Sequence, residues 1–84
     1  MTWRVSFTPK AERELAALDG RVRTRILTAL ARLQGDPFTA PNVKALVGGG
    51  HRLRVGDWRV LFEVMGDQLV VLVVKVGHRR EVYR

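Results

Sequence analysis

Three arginines fall close together in HRLRVGDWR (51–59), namely Arg52, Arg54 and Arg59, and Arg79 and Tyr83 follow in GHRREVYR (77–84). A guanidinium can hold two phosphate oxygens at once. Aimed at the equatorial oxygens of a pentacoordinate phosphorus, it also stabilises the charge that develops there. A tyrosine beside such groups could stack on a base, donate a proton or orient a ribose hydroxyl. Lys44, upstream, could reach a further phosphate. Histidine is the side chain naturally poised to exchange a proton near neutral pH, and the chain has two. Strand alternation turns His51 with Leu53, away from Arg52; His78 follows a glycine next to Arg79 and is expected to touch the substrate. The carboxylates nearby in sequence, Asp57, Glu63 and Glu81, have neither paired-metal spacing nor a histidine motif beside them, so this chemistry calls for no metal and no cofactor.

These side chains must be positioned by one small domain, residues 1–84, because a second core would require a longer chain. Large α/β enzyme folds are excluded by length. With 46% hydrophobic residues the chain has the material for a core, so it is not a disordered segment. Cysteine is absent, which removes thiol catalysis and disulfides and fits a reducing compartment; the cytoplasm is the expected location. Residues 1–20 lack the apolar centre of a signal peptide. The most apolar stretch, 69–74, is far shorter than the roughly 20 residues that span a bilayer, so no membrane association is expected. The net charge is +7, and all cations but Lys10, Lys44 and Lys75 are arginine, which suits contacts to a polyanion.

The alternation of TWRVSF (2–7) predicts a strand, with Trp3, Val5 and Phe7 inward. Thr8 and Pro9 then read as the start of a helix over 9–18, which ends at Asp19-Gly20. A second helix over 21–34 has Val22, Ile26, Leu30 and Leu33 on one face, so the two should form a hairpin. Residues 35–50, rich in proline and glycine, read as a loop anchored by Leu46 and ending in three glycines that could move. Beyond it the period becomes two. Strands are predicted at 51–55, 58–64 and 68–76, with a last strand or tail at 79–83. The fold class is therefore α+β: a small twisted, mainly antiparallel sheet with the N-terminal helical hairpin packed on one face. Leu53, Val55, Trp58, Val60, Phe62 and Val64 take the packed side. Arg52, Arg54 and Arg59 take the open side, joined there by Leu61 and Met65, which are expected to be exposed and to bind a partner segment.

The stretches NVKALVGGGHRLRVGDWRVLFEV (42–64) and VGHRREVYR (76–84), together with the preceding helical hairpin, resemble the RelE/ParE superfamily of bacterial and archaeal toxins, and its RelE branch in particular. The resemblance covers essentially the whole chain. It implies a ribosome-dependent endoribonuclease that cuts messenger RNA in the decoding site by attack of the 2′-hydroxyl on phosphorus, leaving a 2′,3′-cyclic phosphate and a 5′-hydroxyl. The family's catalytic and phosphate-holding positions would fall on Arg52, Arg54, Arg59, Arg79 and Tyr83. Lysine is common in the family where this chain has Arg52 and Arg54; arginine stays protonated, which suits charge stabilisation and not general-base work. The resemblance also implies a cognate antitoxin protein that wraps the toxin and alone contacts operator DNA. Two other functions belong to the same resemblance: ParE-like inhibition of DNA gyrase without catalysis, and a catalytically weak toxin acting in transcriptional control with its antitoxin.

Overall fold

A computed structural model of the chain describes residues 2–78. The predicted segment at 79–83, with Arg79 and Tyr83, lies outside the described residues.

The chain opens with strand β1 (Arg4–Phe7) and turns into helix α1 (Pro9–Ala16) at Thr8, whose hydroxyl accepts the Ala11 N–H at 3.2 Å, with Pro9 as the first helical residue. The helix stops short of Leu18. Helix α2 (Gly20–Ala31) begins immediately, because the Asp19 side chain caps it by accepting the Arg21 N–H, and Arg23 donates back to the carbonyls of Ala16 and Leu18. That guanidinium closes the helical hairpin. A single 3₁₀ turn (Arg32–Gln34) completes the segment expected to be helical up to residue 34.

The predicted loop at 35–50 contains a strand, β2 (Val43–Ala45), too short to show a period in the sequence. Its anchors also differ from expectation: Pro37 is fully buried and Ala40 and Val43 pack on the core, whereas Leu46 is only half-buried. Gly48, Gly49 and Gly50 close a hairpin. All three have left-handed φ, which accounts for the glycine run, and Leu46 and Gly50 are joined by a 3.0 Å backbone hydrogen bond.

Strands β3 (His51–Val55), β4 (Trp58–Met65) and β5 (Val70–His78) complete a five-stranded sheet of order β1-β5-β4-β3-β2. All neighbours are antiparallel except β1 and β5. Ala11 and Leu15 of α1, Ile26 and Leu30 of α2, and Leu33 pack on Leu53, Val60, Phe62, Val71, Val73 and Val76. One helical layer covers one sheet face, as an α+β architecture requires.

The last strand departs from simple alternation. Leu61 is opposite Lys75 but Phe62 is opposite Val73, so Val74 is an extra residue in β5 and forms a β-bulge. Residues beyond it exchange faces: Val76 enters the core, while Lys75 and Gly77 pass to the open side. β5 also continues through Gly77 and His78, where a bend was expected. Beyond Val73 the β1 neighbour has ended, and Glu14 of α1 fills the vacant position by accepting the Val76 N–H on Oε1 at 3.0 Å. Replacing Glu14 by alanine should therefore cost about 1–2 kcal/mol in urea unfolding, the range for a backbone donor that loses a charged acceptor. Glutamine, which keeps the oxygen, should recover most of it.

Candidate functional site

The register assigns side chains to the open face pair by pair. Lys44 of β2 is opposite Arg52 of β3, Arg52 is opposite Leu61 of β4, and Leu61 is opposite Lys75 of β5. The next row is Arg54, Arg59 and Gly77. Five cations thus occupy two adjacent rows, with strands only about 4.8 Å apart. Glu63, one step further along β4, is the only carboxylate that the strands put on this face among the described residues. Lys75 was hidden in the sequence, where it reads as an interruption of an apolar run; only the bulge delivers it here.

Arg54 and Arg59 are direct cross-strand neighbours, an arrangement that costs about 0.2–1 kcal/mol relative to a neutral pair unless an anion lies between them. Arg59 is drawn toward the β3–β4 turn, where its Nη1 donates to Gly56 O at 3.1 Å and to Trp58 O at 3.2 Å. Those two carbonyls fix the guanidinium before any ligand arrives. Gly77 opposite Arg59 has no side chain, so the row is open at that end. Arg54 and Lys44 are exposed, and Arg52 and Arg59 are half-buried.

Leu61 and Met65 lie on the open face, but they are half-buried and not exposed as the sequence reading had it. Leu61 has Arg52 and Lys75 as its cross-strand neighbours, side chains long enough to shade it. Val70 and Leu72, opposite Met65 and Glu63, extend this apolar end of the face. Among the described residues the large apolar side chains that are exposed are Leu27, Phe38 and Val47, none of them on the strands of this face.

His78 does not join the arginines. It pairs with Trp58, and their rings meet edge-on at 5.6 Å, so it is on the helix-packed side. The expectation that it touches substrate assumed a bend at Gly77; the bulge and the continued strand turn it the other way. His51 also faces inward, stacked on Phe62 at 5.3 Å with Phe38 edge-on at 5.8 Å. Its Nδ1 is buried without a hydrogen-bond partner among the described residues. Away from the sheet, Asp36 has its carboxyl held below the usual value of 3.8 by the Thr39 hydroxyl and the Phe38 N–H, which fixes the start of the 35–42 loop. Among the described residues no group of three or more His, Asp or Glu could hold a metal ion, and no helix is long and apolar enough to cross a membrane.

A sheet of this order with a one-sided helical hairpin and a cationic open face defines a class of small toxins. The family model described as the ParE toxin of the type II toxin-antitoxin system parDE matches residues 5–83, and the chain belongs to that family, within the RelE/ParE superfamily. It is similar over its whole length to toxin RelG of Mycobacterium tuberculosis, with 27% identity over 86 residues covering 100% of this chain and 99% of that protein. Among solved structures it resembles the toxin-antitoxin complex RelBE2 of Mycobacterium tuberculosis, with a TM-score of 0.82 and 26% identity over 94% of this chain and 100% of the other. It likewise resembles the intact E. coli RelBE toxin-antitoxin complex, with a TM-score of 0.78 and 25% identity over 90% of this chain and 95% of the other.

Cation crowding on this face gives a measurable signature. Arg54→Gln should raise stability by about 0.5 kcal/mol at low ionic strength, and the gain should shrink toward zero in about 1 M salt as screening removes the repulsion. Thermal unfolding across a salt series checks both parts.

Proposed function

We propose that the open face binds RNA and that the protein is a ribosome-dependent endoribonuclease that cleaves messenger RNA in the decoding site, held in check by a cognate antitoxin through which it reaches operator DNA. The observation that carries this reading is the pair of cationic rows, Lys44–Arg52–Leu61–Lys75 and Arg54–Arg59–Gly77, on a face where the strands place a single carboxylate among the described residues. Like charges so close together become favourable only with an anion between them, and a phosphodiester presents the geometry guanidinium groups match.

In this reading the ribose 2′-hydroxyl attacks the adjacent phosphorus. The new 2′-oxygen–phosphorus bond forms as the bond to the 5′-oxygen breaks; the 2′-hydroxyl proton is lost, and the leaving oxygen is protonated to a 5′-hydroxyl. Arg59, already oriented by two carbonyls, stabilises the extra charge on the equatorial oxygens, and Arg54 adds to that field. Arg52 and Lys44 hold flanking phosphates. Arg79 and Tyr83 take their roles from the family resemblance: charge stabilisation for the arginine, and nucleotide positioning or proton transfer for the tyrosine. Permanently charged arginines do not serve as bases, so alignment of the internal nucleophile by the ribosome supplies much of the rate.

Single-turnover cleavage on programmed ribosomes tests the assignment. Arg59→Ala and Arg79→Ala should each slow cleavage by roughly 10²-fold, the order for losing one transition-state donor, with a much smaller change in ribosome affinity. His78→Gln should be nearly silent, given its place against Trp58. Full activity without the Arg59 side chain would refute its role.

The antitoxin is proposed to cover the apolar end of the same face, around Leu61 and Met65, and so to block the cations beside it. Alanine at both positions should weaken the cognate complex about 10-fold or more, the effect of removing two partly buried apolar anchors; an unchanged dissociation constant would reject this surface. The match to the ParE model favours a second reading, inhibition of DNA gyrase by protein contact. Loss of supercoiling by purified gyrase, with programmed ribosomes left uncut, would select it.

A further inference from the structure

A cleft of about 350 Å³ lies on the helical side of the β3 edge, away from the open face. Its polar lining is Thr24, Arg25 and Thr28 from α2, Arg32 from the 3₁₀ turn that follows it, Asn42 from the loop before β2, and Arg54 from β3. Thr24, Thr28 and Arg32 recur every four residues and so share one stripe of the helix. Among the described residues no aspartate or glutamate lines the cleft. Arg25, whose guanidinium lies beside Gly56, and Arg32 thus stand with two threonines and an asparagine around a space large enough for a small ligand, and Arg54, whose side chain the register assigns to the open face, borders it.

The cleft is joined to the cationic face. β2 ends at Val43 opposite Leu53, so Arg54 is at a sheet edge, where its N–H donates to Asn42 O at 3.0 Å. The same residue lines the cleft and stands opposite Arg59 on the open side. The β3–β4 turn is bracketed in the same way. Arg59 bonds the Gly56 carbonyl, while the Arg25 guanidinium lies so close to Gly56 that a side-chain carbon there would stand 3.0 Å from it. Gly56, with φ of +59°, meets both demands at once, a left-handed turn and room for Arg25.

We infer that this cleft is a second phosphodiester subsite, which takes a nucleotide unit of the same RNA strand that lies on the open face after the strand passes around the β3 edge at Arg54. The inference rests on the RNA-binding reading of that face. A chain with an anion on every unit can satisfy both cation clusters and the shared Arg54 simultaneously. The hydroxyls and amide add donors and acceptors suited to phosphate and ribose.

The test uses a single-stranded RNA dodecanucleotide with 2′-O-methyl groups throughout, which lacks the nucleophile, and a trinucleotide of the same kind, too short to span both sites. Arg25 and Arg32 are exposed, so Arg25→Gln/Arg32→Gln should fold normally, as thermal unfolding verifies. The variant should bind the dodecanucleotide roughly 10-fold more weakly, and the slope of log affinity against log salt should flatten by about 1 to 2 as phosphate contacts are lost. Trinucleotide affinity should not change. In the wild type, the amides of Thr24, Thr28 and Gly56 should shift with the dodecanucleotide only. If wild type and variant bind the dodecanucleotide equally, the cleft inference fails and the RNA-binding face survives. If the wild type binds neither probe, both fail. If the cleft amides answer to a glutamate-rich peptide and not to RNA, the cleft is a protein-docking site and the inference is overturned.

Discussion

The open face depends on one irregularity and the bond beside it. Side chains in a strand alternate strictly, so a single extra residue at Val74 reverses the side taken by every position that follows in β5. Without the bulge Lys75 would meet the helices, and Val76 would face away from the core. With it, the charge goes outward, the valine is buried, and Gly77 comes opposite Arg59. The Val76 N–H has no strand partner on the β1 side, and Glu14 accepts it from the helix above. A carboxylate in α1 thus holds the register of the far end of the sheet.

Much of this was legible in the sequence. Regular alternation in HRLRV and WRVLFEV is enough to collect Arg52, Arg54 and Arg59 on one side and Leu53, Val60 and Phe62 on the other. Helical spacing likewise identified Ile26, Leu30 and Leu33 as core. The errors share a cause. A run such as VVLVVKV has valine available for either face, so it carries no record of where a bulge falls, and the side taken by His78 could not be read from it. β2 is only three residues long in a segment whose composition says loop, and its pairing with β3 depends on a glycine hairpin that leaves no periodic trace. The cleft leaves no trace in the sequence, because Arg25 and Arg32 lie off the apolar face of their helical segment, where solvated charges are ordinary. Only the approach of the β3–β4 turn makes them walls.

Two kinds of side chain divide the open surface. Near β3 it is cationic, and the adjoining charges oppose one another; toward Met65, Val70 and Leu72 it is apolar. The cationic half is poorly satisfied by water alone because its charges repel, whereas the apolar half is already half-buried and, at Val70, buried. Natural sheets with one solvated face usually alternate polar residues along it. The departure here concentrates both kinds of binding energy within a small domain. The helical layer supplies the stability this face gives up.

The parallel pairing of β1 with β5 sets a temporal order. Arg4 aligns with Val70, so the edge strand finds its partner only across most of the chain, and β5 is also the strand that joins β1 to the antiparallel hairpins. Contacts so distant in sequence slow folding, because a large loop must close before they contribute. During synthesis the helical hairpin can form as soon as it emerges and β2, β3 and β4 can pair after it, but β1 has no partner until residues 70–78 have been translated. The four cations of β2, β3 and β4 can thus gather before β1 docks, and Lys75 and Gly77 complete their rows only when β5 adds to β4.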